Sequence, residues 1–261
     1  MNRLQSVFGI GGKKALVAYV TVGYPDVDTT LRLVPLLAQN GCDVVELGIP
    51  FSDPLADGAT IQHASHVALQ NGVTPDVCLD VAGKLTALVE TPLVFMSYYN
   101  PLLRRGLDAF CADSASCGVS GLIVPDLPPD EGTELESAGQ RHGVDLIYLV
   151  APTTTEERLA CAGSRSRGFL YLVSLTGVTG ARAELDGKLE SFVARVRART
   201  ELPLCVGFGI STPSQAARVA RIADGVIVGS RLLQLAEDDS SLVSVASFVR
   251  ELRDAVDKGV A

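Results

Sequence analysis

The chain has 261 residues, 47% apolar and 20% charged, which is enough apolar material for a large buried core. Its net charge of -8 disfavours nucleic acid or an anionic membrane as a partner, because either would call for a basic surface. No apolar run is long enough to cross a bilayer, and Met1-Asn2-Arg3-Leu4 leads into Gly9, Gly11 and Gly12 rather than a secretory core, so a cytoplasmic protein is expected.

In chain order, Leu16 to Val20 reads as the first strand and Thr29 to Gln39 as the helix after it. Asp43 to Leu47 is a strand, Pro75 to Leu88 a helix and Leu93 to Met96 a strand. Leu107 to Ser116 is again helical, Leu122 to Val124 extended and Glu131 to His142 helical. Leu146 to Val150 precedes a helix at Glu156 to Ala162, and Phe169 to Val173 precedes one at Leu189 to Arg199. Leu204 to Phe208, the helix Ser214 to Ile222, Val226 to Val228 and a last helix from Leu242 to Val256 complete the series. Asp28, Thr74-Pro75, Asp130, Thr155 and Thr212-Pro213 mark helix starts, and Gly41, Gly118 and Gly143 mark stops.

Eight strands in strict alternation with helices predict a parallel sheet closed into a (β/α)8 TIM barrel, one domain over residues 1 to 261 with an extra N-terminal helix. An open doubly wound sheet is the alternative, since loss of one strand would reopen the barrel. The cysteines at 42, 78, 111, 117, 161 and 205 show no Cys-x-x-Cys spacing, so they are expected to be reduced, mostly buried thiols.

Glu46 lies inside the apolar run Cys42 to Ile49, at the head of Pro50-Phe51-Ser52-Asp53-Pro54-Leu55-Ala56-Asp57-Gly58. A carboxylate buried in a strand is costly to ionise, so its pKa should rise, as suits a catalytic acid or base. The loop adds Asp53 and Asp57 on a backbone restricted by Pro50 and Pro54. Glycine-bearing segments follow the last three strands: Thr176 to Gly180, Gly207 to Ser211, and Gly229-Ser230-Arg231. Barrels commonly hold phosphate there, on backbone N–H groups and a helix N-terminus, and Arg231 could add a cation.

The run Leu47 to Gly58, with Gly177-Val178-Thr179-Gly180 and Gly207-Phe208-Gly209-Ile210-Ser211, resembles the α subunit of tryptophan synthase. The likeness runs from Ala15 to the terminal helix. It implies cleavage of indole-3-glycerol phosphate to indole and glyceraldehyde 3-phosphate, with a β subunit as partner in an α2β2 complex and no cofactor. By resemblance, Glu46 is the acid-base carboxylate, Asp57 faces the indole nitrogen and Tyr171 stands near the substrate. Gly180, Gly209, Gly229 and Ser230 would bind the phosphate; Tyr19, where some relatives have Phe, Ile61, Met96 and Tyr98 would line the indole pocket.

Other mechanisms fit the inventory less well. A Schiff-base aldolase needs a lysine at a strand end, whereas Lys13, Lys14, Lys84, Lys188 and Lys258 fall in loops, helices or the tail. His63, His66 and His142 do not form a ligand cluster, so no metal is expected and structural roles are assigned to them. Arg104-Arg105 and the arginines at 195, 197 and 199 are expected on solvated helix faces. A catalytically weak barrel serving mainly as allosteric partner, or a phosphosugar isomerase, remain as alternatives. Leu175 to Lys188, with few apolar anchors, is expected to form a mobile lid.

Overall fold

The computed structural model describes residues 3–8, 13–173, 182–207 and 209–259, with the side chains of residues 5 and 182–186 excepted. The chain begins with α1 (Arg3–Val7), β1 (Ala15–Thr21), α2 (Val27–Gln39), β2 (Val44–Gly48), α3 (Ala59–Gln70), α4 (Pro75–Thr86) and β3 (Leu93–Met96). It continues through α5 (Tyr99–Arg105), α6 (Leu107–Ser116), β4 (Gly121–Ile123), a 3-10 turn (Pro129–Glu131), α7 (Thr133–His142), β5 (Asp145–Ile147) and β6 (Leu149–Val150). The last third holds α8 (Glu156–Arg165), β7 (Leu170–Val173), α9 (Arg182–Arg197), β8 (Leu204–Gly207), α10 (Pro213–Ile222), β9 (Gly225–Val228), α11 (Ser230–Asp238) and α12 (Val243–Lys258).

All pairings are parallel, in the order β5-β4-β3-β2-β1-β9-β8-β7-β6. β5 and β6 are two halves of one extended segment interrupted at Tyr148, whose carbonyl accepts the Tyr171 N–H at 3.0 Å. One half pairs with β4 and the other with β7, so the ring closes and the expected (β/α)8 barrel forms. The seven residues of β1 and the five of β2 are all buried, as expected for parallel strands covered on both faces.

Alternation along the strands divides the core in two. Leu16, Ala18, Val20, Val45 and Leu47 face the helices, while Val17, Tyr19, Val44, Val94, Met96, Tyr171 and Cys205 fill the barrel interior. The N-terminal helix closes the amino end of that interior: Leu4 is fully buried, and the Phe8 ring lies 5.7 Å from that of Phe169. Beside it, Asp43 accepts the Leu16 N–H at 2.9 Å and pairs with Lys13 at 2.5 Å and Arg253 at 2.8 Å. Asp224 repeats the device on the Leu204 N–H at 2.9 Å, with Arg197 and Lys14.

Several expectations need correction. α3 and α5 are additional helices; their buried faces are Ala64, Ser65 and Ala68 in one and Leu102 in the other, too small or too short to give a periodic apolar signal. α9 starts at Arg182 rather than Leu189, because its first turns are polar. The expected lid therefore overlaps a helix from residue 182, while residues 174–181 lie outside those described. Asp26, not Asp28, caps α2 by accepting the Thr29 N–H at 2.6 Å, and Gly132 rather than Asp130 precedes α7. The arginines are not simply solvated: Arg105 bridges Asp76 and Asp113, Arg195 lies over the Phe192 ring, and Arg199 pairs with Glu156. All six cysteines are free; Cys117 and Cys161 are half-buried and the other four are buried.

Candidate active site

Glu46 is the middle residue of β2 and points into the barrel, beside Tyr19 of β1 and Val94 of β3 in the strand register. It is fully buried, and neither carboxylate oxygen has a hydrogen-bond partner among the described residues. Burial pushes its pKa up to about 8, so the neutral acid dominates at pH 7.

The loop after β2 carries Asp57 back over the barrel mouth, where Tyr98 holds it. The Tyr98 hydroxyl donates to Asp57 Oδ2 at 3.1 Å and accepts the Ala56 N–H at 2.8 Å, while its ring stacks on Phe51 at 5.2 Å. Gln62, in the first turn of α3, donates to the Asp57 carbonyl at 2.9 Å. Burial raises the Asp57 pKa to about 6, opposed by the Tyr98 hydrogen bond, so Asp57 is mainly ionised at pH 7. Two carboxyl groups at one mouth thus hold different charge states. Leu55 at the tip of this loop is 94% exposed, whereas Pro54 is half-buried.

Two tyrosines flank the interior, each leaning over a glycine of the next strand. A methyl group on Gly48 would stand 2.2 Å from the Tyr19 hydroxyl oxygen, and one on Gly207 would stand 2.4 Å from that of Tyr171. Glycine at these positions is what admits the rings. Burial, then the charge of Asp57, raises the Tyr19 pKa; burial, then the charge of Glu46, raises that of Tyr171, so both phenols stay neutral. Met96 and Tyr98 are buried, and half-buried Ile61 packs against the interior cluster.

Across the mouth, Gly209 follows β8 with φ +77°, a conformation that suits glycine. Gly229 precedes α11, and exposed Ser230 opens it. No side chain caps α11, in contrast to α10, where Thr212 and Gln215 form a reciprocal capping box. The Leu232 and Leu233 N–H groups donate to the Gly229 carbonyl, and among the described residues no side chain takes the N–H groups of the first turn of α11. Arg231 points along the helix toward Gln234 at 3.4 Å, which in turn reaches Thr60 of α3 at 3.4 Å.

The structure thus gathers Glu46, Tyr19, Met96 and Tyr171 inside the barrel and Asp57, Ile61 and Tyr98 at its mouth, with Gly209, Gly229 and Ser230 after the ends of β8 and β9. Gly180 lies outside the described residues. Sequence reasoning missed Gly48 and Gly207 as ring seats, and Thr21, whose Oγ1 lies 3.3 Å from the Tyr19 hydroxyl. A glycine inside a buried apolar strand was the available signal.

Comparisons with known proteins agree with this geometry. The family model described as tryptophan synthase alpha chain matches residues 10–257. The tryptophan synthase alpha chain of Dehalococcoides mccartyi is 57% identical over 257 residues, covering 98% of this chain and 100% of that protein. That of Chloroflexus aggregans is 50% identical over 265 residues, covering 99% of each. Among solved structures, tryptophan synthase subunit alpha from Legionella pneumophila superposes with a TM-score of 0.92 at 37% identity, covering 99% of each chain. A tryptophan synthase structure from Mycobacterium tuberculosis gives 0.90 at 41% identity, covering 98% of each. The chain belongs to the tryptophan synthase alpha chain family.

Proposed function

We propose that this protein cleaves indole-3-glycerol phosphate to indole and glyceraldehyde 3-phosphate by general acid-base catalysis. The observation that carries the reading is Glu46, a carboxyl group sealed in the barrel interior with neither oxygen hydrogen-bonded and its pKa raised to about 8. In this reading protonated Glu46 delivers its proton to the ring carbon bearing the side chain. The resulting carboxylate takes the proton of the adjoining hydroxyl as the carbon–carbon bond breaks. Protons and atoms balance, with an aldehyde and a free indole as products. Ionised Asp57 stabilises the positive charge that develops on the ring nitrogen. Tyr171 packs beside the ring, and Ile61, Met96, Tyr98 and the ring of Tyr19 provide the apolar pocket.

The phosphate is assigned to the backbone donors of Gly180, Gly209, Gly229 and Ser230. An uncapped α11 lets an acidic protein hold an anion without a cluster of cations. By family, the partner is a β subunit in an α2β2 assembly, and we place its contact at the Phe51 to Gly58 loop, where Leu55 is exposed beside Asp57. A partner that prefers the ordered loop would raise activity by population shift. Pro54→Ala should then weaken activation by the β subunit more than basal turnover.

The direct test is to mix the purified chain with indole-3-glycerol phosphate and follow indole release. The protein has no Trp, so its own background is low. No indole, with or without the β subunit, would refute the reading.

A further inference from the structure

The strand that carries Tyr19 stands between the one that carries Glu46 and the one that leads into Gly229 and α11, in the order β2-β1-β9. Tyr19 touches both neighbours. A methyl group on Gly48 would meet its hydroxyl at 2.2 Å, and one on Gly229 would meet its Cβ at 3.1 Å. The side chains of residues 46 and 48 face the same side of β2, so the phenol oxygen sits one layer nearer the mouth than Glu46.

Packing explains the ring of Tyr19 but not its hydroxyl. Val17, Val44 and Val94 pack the interior on the amino side of the ring, whereas the hydroxyl lies on the side of Glu46 and Asp57; Tyr19 is only 7% exposed and Thr21 is fully buried. Their hydroxyls share one long contact of 3.3 Å. Each hydroxyl can donate one hydrogen bond and accept two, so this pair keeps unused capacity in a place where buried polar groups are normally satisfied.

In the cleavage reading, the ring lies over Glu46 and Asp57 and the phosphate at α11. The three-carbon chain joining them, which carries two hydroxyls, must then pass over β1. We propose that the Tyr19 hydroxyl, backed by Thr21, hydrogen-bonds a hydroxyl of that chain and so selects a hydroxylated substrate and holds it for Glu46. The inference rests on the cleavage reading and adds a substrate-binding residue to it.

The test compares wild type, Tyr19→Phe and Thr21→Val in the full chain. Turnover and affinity for indole-3-glycerol phosphate are measured beside affinity for indol-3-ylpropyl phosphate, which keeps the ring and phosphate but lacks both hydroxyls. Tyr19→Phe should lower kcat/KM by about tenfold or more, the usual scale for one lost hydrogen bond to a substrate, and leave the deoxy ligand within about twofold. Thr21→Val, which keeps the phenol and removes its support, should give the same split at about threefold. Unchanged kcat/KM in Tyr19→Phe overturns the proposal. So does an equal loss of affinity for the deoxy ligand, because the ring rather than the hydroxyl would then be responsible. If wild type makes no indole, the cleavage reading fails, and the proposal is still decided by whether Tyr19→Phe weakens binding of the hydroxylated ligand alone.

Discussion

Asp43 and Glu46 stand on the same stretch of chain and meet opposite surroundings. Asp43, at the amino end of the barrel, accepts a backbone N–H and pairs with Lys13 and Arg253. Glu46, three residues further along and on the opposite face, has no partner for either oxygen among the described residues. The carboxylate at the amino end locks β1 and β2 to α12, whereas the one in the interior is unpaired among the described residues and its pKa is raised. Neither environment follows from residue type. Each is made by the strands and helices that the barrel brings against it.

The largest effect expected from breaking this contrast is at Glu46. Glu46→Gln should lower turnover of indole-3-glycerol phosphate by about a hundred to ten thousandfold, the range for loss of a general acid-base group. A variant with most of its activity would take Glu46 out of the mechanism. The same change should stabilise the fold in alkali. An unfolded Glu titrates near 4.5, whereas folded Glu46 holds its proton up to about 8. Between those values the native state binds the extra proton, so wild-type stability falls as pH rises. Thermal melting should place Glu46→Gln above wild type by on the order of a few kcal/mol at pH 8.5, and level with it at pH 4. A stability difference independent of pH would contradict the buried, unpaired state.

Asp43→Ala should do the reverse. It leaves Arg253, 12% exposed, with Asp257 as its remaining carboxylate and the Leu16 N–H without its acceptor, and should lower unfolding stability by about 1 to 3 kcal/mol in urea titration. Turnover per folded molecule should stay within about twofold. If turnover falls as far as in Glu46→Gln, the two ends are not separable.

A smaller effect is expected at the mouth. Tyr98→Phe removes the hydrogen bond to Asp57 and should lower kcat by about five to tenfold. In wild type, kcat/KM should fall below about pH 6, as Asp57 takes a proton, and above about pH 8, as Glu46 loses one. The Tyr98 bond holds the Asp57 pKa down, so in Tyr98→Phe the acid limb should move to higher pH and the alkaline limb stay. An unmoved acid limb would assign it to another group.

Much of the candidate site was legible because its signals are local. Glu46 stood out as a charge in an apolar run, Asp57 by its place in a proline-restricted loop, and Gly229-Ser230 by standing between a strand and a helix. Helices α3 and α5 were not legible, since small buried residues leave little apolar periodicity. The capping of α2 was misplaced by two residues, as Asp26 and Asp28 are equivalent candidates by type and only the backbone geometry separates them.

From its own pattern the chain determined the alternation of strands and helices, the burial of Glu46 and the glycines at the last strand ends. Those properties depend on neighbours in sequence, where periods of 2 and 3.6 residues can be read directly. The tertiary structure alone decided the closure of the ring through the broken segment at Tyr148 and the seating of Tyr19 over Gly48. It also decided the bond from Tyr98 to Asp57, 41 residues away, and the clamp of Arg253 on Asp43, 210 residues away. Contacts of that kind depend on register and on which faces meet across the barrel, and no local period in the chain encodes either.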